Sequence, residues 1–284
     1  MVGYASMKDI IITGASRGIG RALAVSLATG ASDPARLILT ARDEVLLYDV
    51  VQCIETAGGH AHCVPGDLST LASARTLGEN LASVVRTPAT LVHNAGVWPA
   101  RRELTPEGLE TAFVVNCVGP LLMQQILLDR LLLDRVMVIS AGLIVKGRYS
   151  GERTPTGMDF SSWRTYCTTK LAFAVAERDM AKQHPDIDFV VLHPGVVRTN
   201  LGARRGIAGI LLGWVKWSLE SPDVCANRLR DILFRDCWSP PGDARWLVKE
   251  REKSWPSVTE DEQTRRAIRE MVSRLVIHAE DETK

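Results

Sequence analysis

Six short runs of apolar, largely β-branched residues recur along the chain and constrain its fold more than any other feature. They are DIIIT at Asp9, RLILT at Arg36, AHCVP at Ala61, TLVHN at Thr90, RVMVIS at Arg135 and DFVVLH at Asp188. Between them lie stretches of helical periodicity near Arg21–Ala28, Val45–Thr56, Leu71–Val84, Leu109–Leu133 and Tyr166–Gln183. Runs that are apolar throughout, rather than alternating, suit strands buried on both faces. Alternating strand and helix of this kind predicts an α/β fold, a doubly wound parallel sheet with right-handed crossovers. After Thr199 the rhythm breaks into a glycine-bearing segment, a short strand-like ARWLV at Ala244 and a polar helix around Glu260–His278. With no Pro-, Gly- or Ser-rich linker and no repeat, residues 1–284 read as one domain. Residues from about 200 to 239 are expected to form a lid over the carboxyl ends of the strands, where open sheets bind ligands.

The first strand runs into TGASRGIG, placing Gly14, Gly18 and Gly20 between a strand and a helix. Such a turn leaves backbone N–H groups and the positive end of a helix free for a phosphate, and glycine permits close approach and unusual φ. The spacing is neither GxGxxG nor a P-loop, since no Lys-Ser/Thr pair follows Gly20. Arg17 lies in the turn, and Ala41 and Arg42, just past the second strand, stand where a fold that prefers NAD offers a carboxylate to the ribose. Two guanidiniums suit a 2′-phosphate, favouring NADPH/NADP+ over NAD; solvated surface arginines are the plainer alternative.

YCTTK sets Tyr166 and Lys170 four apart, on one face of a helix. A nearby ammonium, and an oxidised nicotinamide, would lower a phenol from its usual value near ~10. Tyr166 would then exchange a proton with a carbonyl or alcohol oxygen.

These motifs, in this order, resemble the short-chain dehydrogenase/reductase family, and LHPGVVRTNLG, YCTTK and the charged tail resemble its retinol dehydrogenase-like branch. The resemblance implies a Rossmann-type fold and reversible, NADPH-dependent reduction of lipophilic aldehydes or ketones to alcohols. It also implies that Gly14, Ser16, Gly18, Ile19 and Gly20 hold the pyrophosphate side and that Arg17, Arg42, Asp67 and Leu68 hold the adenosine side. Asn94, Ala95 and Gly96 would pack against the adenosine ribose; Pro194, Gly195, Val197 and Thr199 would hold the carboxamide and pyrophosphate. Tyr166 would act as acid/base, while Lys170 would bind the nicotinamide ribose and relay a proton with Asn116. Plainer roles stay open: a helix N-cap for Asp67 ahead of Leu68, a tight turn for Asn94–Gly96, a tolerated helical residue for Asn116.

One departure concerns the serine that the family carries beside its tyrosine. VISAGL offers Ser140 followed by Ala141. An ungapped reading puts alanine in the working position and turns Ser140 away, whereas a slip of one residue brings Ser140 into the site. Trp98, Trp163, Trp214 and Trp217, with the apolar segment 206–217, suit a pocket for an aromatic or lipophilic substrate, or else plain packing.

The formal charge of +1 offers no footprint for nucleic acid. No apolar stretch reaches the ~20 residues of a membrane span, and no signal-peptide pattern precedes Asp9. Six cysteines without CxxC spacing read as reduced, mostly buried thiols of a cytoplasmic protein, and the six histidines show no metal-ligand spacing. The family resemblance implies a homodimer or homotetramer built on the Tyr/Lys helix and the long helix before it. Leu121–Leu133 is apolar enough for that contact or for core. Two rival functions remain: reduction of an activated C=C bond, and a non-catalytic NADP(H) sensor.

Overall fold

The computed structural model describes residues 8–30, 35–198 and 220–277. The apolar runs form one eight-stranded sheet in the order β3-β2-β1-β4-β5-β6-β7-β8. The strands are β1 (Lys8–Thr13), β2 (Ala35–Thr40), β3 (His60–Cys63), β4 (Ala89–His93), β5 (Leu133–Ile139), β6 (Asp188–His193), β7 (Ala244–Val248) and β8 (Arg251–Lys253). All neighbours run parallel except β7 and β8. The chain moves outward from β1 through β2 to β3, then returns to β4 on the other side of β1. That reversal opens a crevice at the carboxyl ends of β1 and β4, where such sheets bind ligands.

Alternation within each buried strand feeds two cores. Ile10 and Ile12 pack with α1 (Gly18–Gly30), α2 (Glu44–Thr56) and α6 (Pro222–Leu233). Ile11 and its equivalents pack with α3 (Leu71–Val84), α4 (Thr111–Asp129), α5 (Ser162–Gln183) and α7 (Glu262–Val272). Local chemistry sets the helix starts: Asp43 caps α2, Ser161 caps α5, and Thr70 with Ser73 forms a reciprocal capping box on α3. Asp67 therefore caps no helix; its carboxylate instead accepts from the backbone N–H of Ser69 at 3.1 Å and from the Ser69 hydroxyl at 2.5 Å.

Of the expected lid, residues 199–219 lie outside the described set, and with them Thr199, Trp214 and Trp217. Pro222–Leu233 belongs to the packed body, where Cys225, Leu229 and Ile232 are buried against the sheet. Helix α4 is long and apolar enough to cross a membrane by composition, but its apolar window is 89% buried inside this fold. The leucines near its end thus serve the core. All six cysteines are free, three of them buried, two exposed and Cys63 between.

One buried ion pair ties β1 to β2 and to the segment that follows α3. Asp9 accepts from Arg36 Nε at 2.8 Å and Nη2 at 2.7 Å, and from the backbone N–H of Arg86 at 2.7 Å. Burial alone would raise this carboxyl, yet the Arg36 and backbone hydrogen bonds outweigh it and hold the group below the usual carboxylate range. The stabilisation is present above that range and is lost as pH falls through the folded value. Asp9→Ala strands the Arg36 guanidinium and is expected to cost about 3 kcal/mol, read from urea unfolding at neutral pH.

Candidate active site

The crevice is built from hydrogen bonds between the ends of β1 and β4. Thr13 Oγ1 donates to the Val92 carbonyl at 3.3 Å and accepts from the N–H groups of Asn94 and Ala95, each at 3.0 Å. Asn94 Nδ2 donates in turn to the carbonyls of Thr13 at 2.9 Å and Gly14 at 3.2 Å. Gly14 takes φ +65°, and a Cβ there would sit 2.9 Å from the Ala95 backbone. A Cβ at Gly20 would sit 2.5 Å from the Gly14 carbonyl oxygen. These glycines let the turn fold flat against Asn94–Ala95, while the first turn of α1 carries no acidic side chain. The donor set fits an anionic pyrophosphate.

Ser16 lies buried at the turn, Ile19 packs beside the α1–α2 core, and Leu68 is buried in the other core. Arg17 and Arg42 are exposed and only loosely paired, at 3.5 Å to Asp43 and 3.9 Å to Asp67. Such pairs contribute little stability, which leaves both guanidiniums available to a phosphate.

Tyr166 and Lys170 are both buried on α5. The Lys170 ammonium donates to the Ile139 carbonyl at 3.1 Å. Burial drives Lys170 down to about 8 and pushes the Tyr166 phenol up to about 12, with Cys167 a lesser cause. The expected lowering of the phenol by its lysine is not found in the protein alone, because desolvation of the ring dominates. Tyr166 is thereby held as the neutral acid.

Asn116 lies in a π-helical turn, Val114–Val118, that interrupts α4. Its Oδ1 accepts from Val97 N–H at 2.8 Å, and its Nδ2 donates to Val97 O at 2.9 Å and Thr169 Oγ1 at 3.0 Å. The Asn116 carboxamide thus clamps the segment following Asn94–Ala95–Gly96 onto α5. A Cβ on Gly96 would come within 3.3 Å of both Asn116 Oδ1 and Lys170 Nζ, so the two groups converge where only glycine leaves room.

Ser140 follows β5 with its N–H on the Leu192 carbonyl at 2.7 Å. Val136 and Val138 face the α4–α5 core whereas Met137 and Ile139 face the other. Continued alternation sends Ser140 to the side of Tyr166 and Ala141 away. The Ser140 hydroxyl is buried without a hydrogen-bond partner.

Above this group lie two tryptophans. The Trp98 indole stacks on the Tyr166 ring at 4.4 Å between centroids and 7° between planes, with Trp163 tilted against it at 5.5 Å. Trp98 Nε1 donates to Ser162 Oγ at 3.1 Å, fixing the stack to the helix that carries the tyrosine.

The Pro194–Arg198 segment is held by residues that sequence reading missed. Glu220 bridges beside Val197 and accepts Arg198 N–H at 2.9 Å. Arg228 grips both Glu220 oxygens, at 2.7 and 2.6 Å, and donates to the Pro194 carbonyl at 2.7 Å. Gly195 adopts φ +98° above the Lys249 side chain. No local pattern announces Glu220 and Arg228; they reach the loop from a bridge residue and a helix that follow it in sequence.

Comparison with known proteins agrees with this geometry. Residues 8–207 match the family model described as short chain dehydrogenase. The chain is a short-chain dehydrogenase/reductase. It is 30% identical over 240 residues to human retinol dehydrogenase 13, covering 78% of this chain and 70% of that one. A protein of Streptomyces sp. (strain C5), provisionally named daunorubicin C-13 ketoreductase DnrU, is 31% identical over 201 residues, covering 69% of this chain and 68% of that one. Among solved structures, an angucycline C-6 ketoreductase with bound NADP superposes with a TM-score of 0.64 at 24% identity, covering 85% of this chain and 93% of that one. This short-chain dehydrogenase/reductase is thus an alcohol/carbonyl oxidoreductase of the retinol dehydrogenase-like kind.

Arg228→Lys removes the forked grip on Glu220 and leaves the Pro194–Arg198 loop less fixed. Its expected effect is a roughly tenfold weaker affinity for a nicotinamide dinucleotide by fluorescence titration, with the same circular-dichroism spectrum.

Proposed function

We propose that this protein reduces the carbonyl group of a lipophilic or aromatic aldehyde or ketone to an alcohol, reversibly, using NADPH. The observation that carries the reading is the buried Tyr166–Lys170 pair, its phenol neutral, set against Gly96 and the π-turn of Asn116. Bound along Gly14–Gly20 and Pro194–Arg198, with Arg17 and Arg42 on its 2′-phosphate, NADPH would supply the hydride. Asp67, Leu68 and Asn94–Gly96 would line the adenosine side, and Lys170 would take the nicotinamide ribose hydroxyls.

Tyr166 places its proton on the substrate oxygen as negative charge develops there, which lowers the barrier most when the donor is prepositioned. Ser140, with its unspent hydroxyl, is the second donor to that oxygen. Lys170 returns a proton toward Tyr166, and Asn116 holds the Val97 backbone and Thr169 so that this path stays aligned. The Trp98–Trp163 corner excludes water from the phenol and offers flat apolar surface to an aromatic substrate. The name of the Streptomyces relative, a daunorubicin C-13 ketoreductase, supports a ketone substrate.

The test is NADPH oxidation followed by absorbance, with a panel of aromatic and aliphatic aldehydes and ketones. Tyr166→Phe is expected to lower kcat/KM by roughly 10²- to 10⁴-fold, and Ser140→Ala by about 100-fold; a full rate in Tyr166→Phe overturns the mechanism. Because the ammonium form of Lys170 is the working form, kcat/KM for reduction is expected to fall as pH rises through about 8. Trp98→Leu is expected to raise KM for aromatic ketones roughly 3- to 10-fold, leaving small aliphatic substrates unaffected.

A further inference from the structure

Behind the catalytic pair, three polar side chains are sealed inside the α4–α5 core with no role in the steps above. His93 ends β4, immediately before Asn94–Ala95–Gly96; Gln124 lies on α4, eight residues after Asn116; Glu177 lies on α5, seven residues after Lys170. All three are essentially inaccessible to solvent. Gln124 Oε1 lies 2.6 Å from His93 Nε2, and Gln124 Nε2 donates to Glu177 Oε2 at 3.1 Å. His93 also meets the Phe173 ring edge to face. His93 Nδ1 and Glu177 Oε1 have no hydrogen-bond partner, a costly arrangement that apolar side chains would avoid.

The array joins the three elements that carry the site: the strand before Gly96, the helix of Asn116 and the helix of Tyr166 and Lys170. Seven residues is two helical turns, so Glu177 lies on the Lys170 face about 10 Å along the axis. We propose that His93, Gln124 and Glu177 form a positioning array in which the charge on Glu177 sets the proton affinity of Lys170. This rests on the assignment of Lys170 above.

The groups that face Glu177 are His93 from β4 and Gln124 and Cys117 from α4, with Lys170 two turns away on its own helix; Tyr149 stands behind Cys117. Burial raises Glu177 to about 8 and lowers His93 to about 4, so their 4.0 Å contact joins two neutral groups near pH 7 rather than an ion pair. Burial places the ionisation of Glu177 and that of Lys170 in the same interval; their placement on one helix face, two turns apart, would couple the two titrations. An anion at that distance in a partly screened interior raises an ammonium by up to about one pH unit.

Glu177→Gln keeps the shape and the bond to Gln124 but not the charge. The basic limb of kcat/KM, and the same limb in the pH dependence of NADPH affinity, are expected to move to lower pH by a few tenths to about one unit. Equal losses at every pH, or limbs that stay where they are in a folded variant, overturn the proposal. Should no carbonyl be reduced by the unaltered protein, the proposed function fails while NADPH affinity still reads the array. Folding gives a further readout. Glu177 binds its proton more tightly folded than unfolded, so stability falls as pH rises from about 4.5 to 8; His93, shifted the other way, offsets this below about 6.5. The melting temperature of the unaltered protein is therefore expected to fall between about 6.5 and 8, and the Glu177→Gln variant to lose that slope. An unchanged slope overturns the proposal as well.

Discussion

The threonine hydroxyl at the end of β1 is the constraint on which the rest depends. Thr13 serves one carbonyl and two N–H groups of the neighbouring strand end, and Asn94 returns the favour to Thr13 and Gly14. A parallel sheet must leave a gap where its winding reverses, and here the gap is given fixed walls rather than loose loops. Gly14 and Gly20 can close on Asn94–Ala95 because they carry no Cβ. Gly96 can then face Asn116 and Lys170 for the same reason. Cofactor side and catalytic side are thus parts of one hydrogen-bonded corner.

Burial governs the chemistry of that corner. The phenol and the ammonium are each pushed toward their neutral forms, and for the phenol this suits an acid that must hold its proton until the substrate arrives. The Trp98 indole contributes by lying flat over the ring, and its bond to Ser162 anchors it to the same helix. The π-turn at Asn116 breaks the regular helix to aim a carboxamide at backbone on one side and Thr169 on the other.

The strands, the glycine turn and the Tyr166/Lys170 pair were legible in sequence because each is local: an unbroken apolar run, three glycines in seven residues, a spacing of four. Where one side chain answers another far along the chain, the sequence was mute. Arg228 and Glu220 hold a loop that precedes them, and His93, Gln124 and Glu177 meet from three elements. Asp67 looked like a helix cap because an acid before a leucine often is one; Thr70 and Ser73 take that position three residues later. Ser140 was undecided on paper, since strand alternation settles its side only once the register of β5 is known. Tyr166 was expected to be acidified by its lysine, an argument from proximity that omitted the cost of enclosing the ring.

The last helix carries a consequence for assembly. Ile268 and Met271 of α7, with Val276 beyond it, lie over the layer formed by α4 and α5. The outward residues there are Arg266, Arg269, Glu262 and Glu270, already joined in exposed ion pairs. A second copy approaching over this helix would meet alternating charge instead of leucine, and any adhesion there would weaken as ionic strength rises.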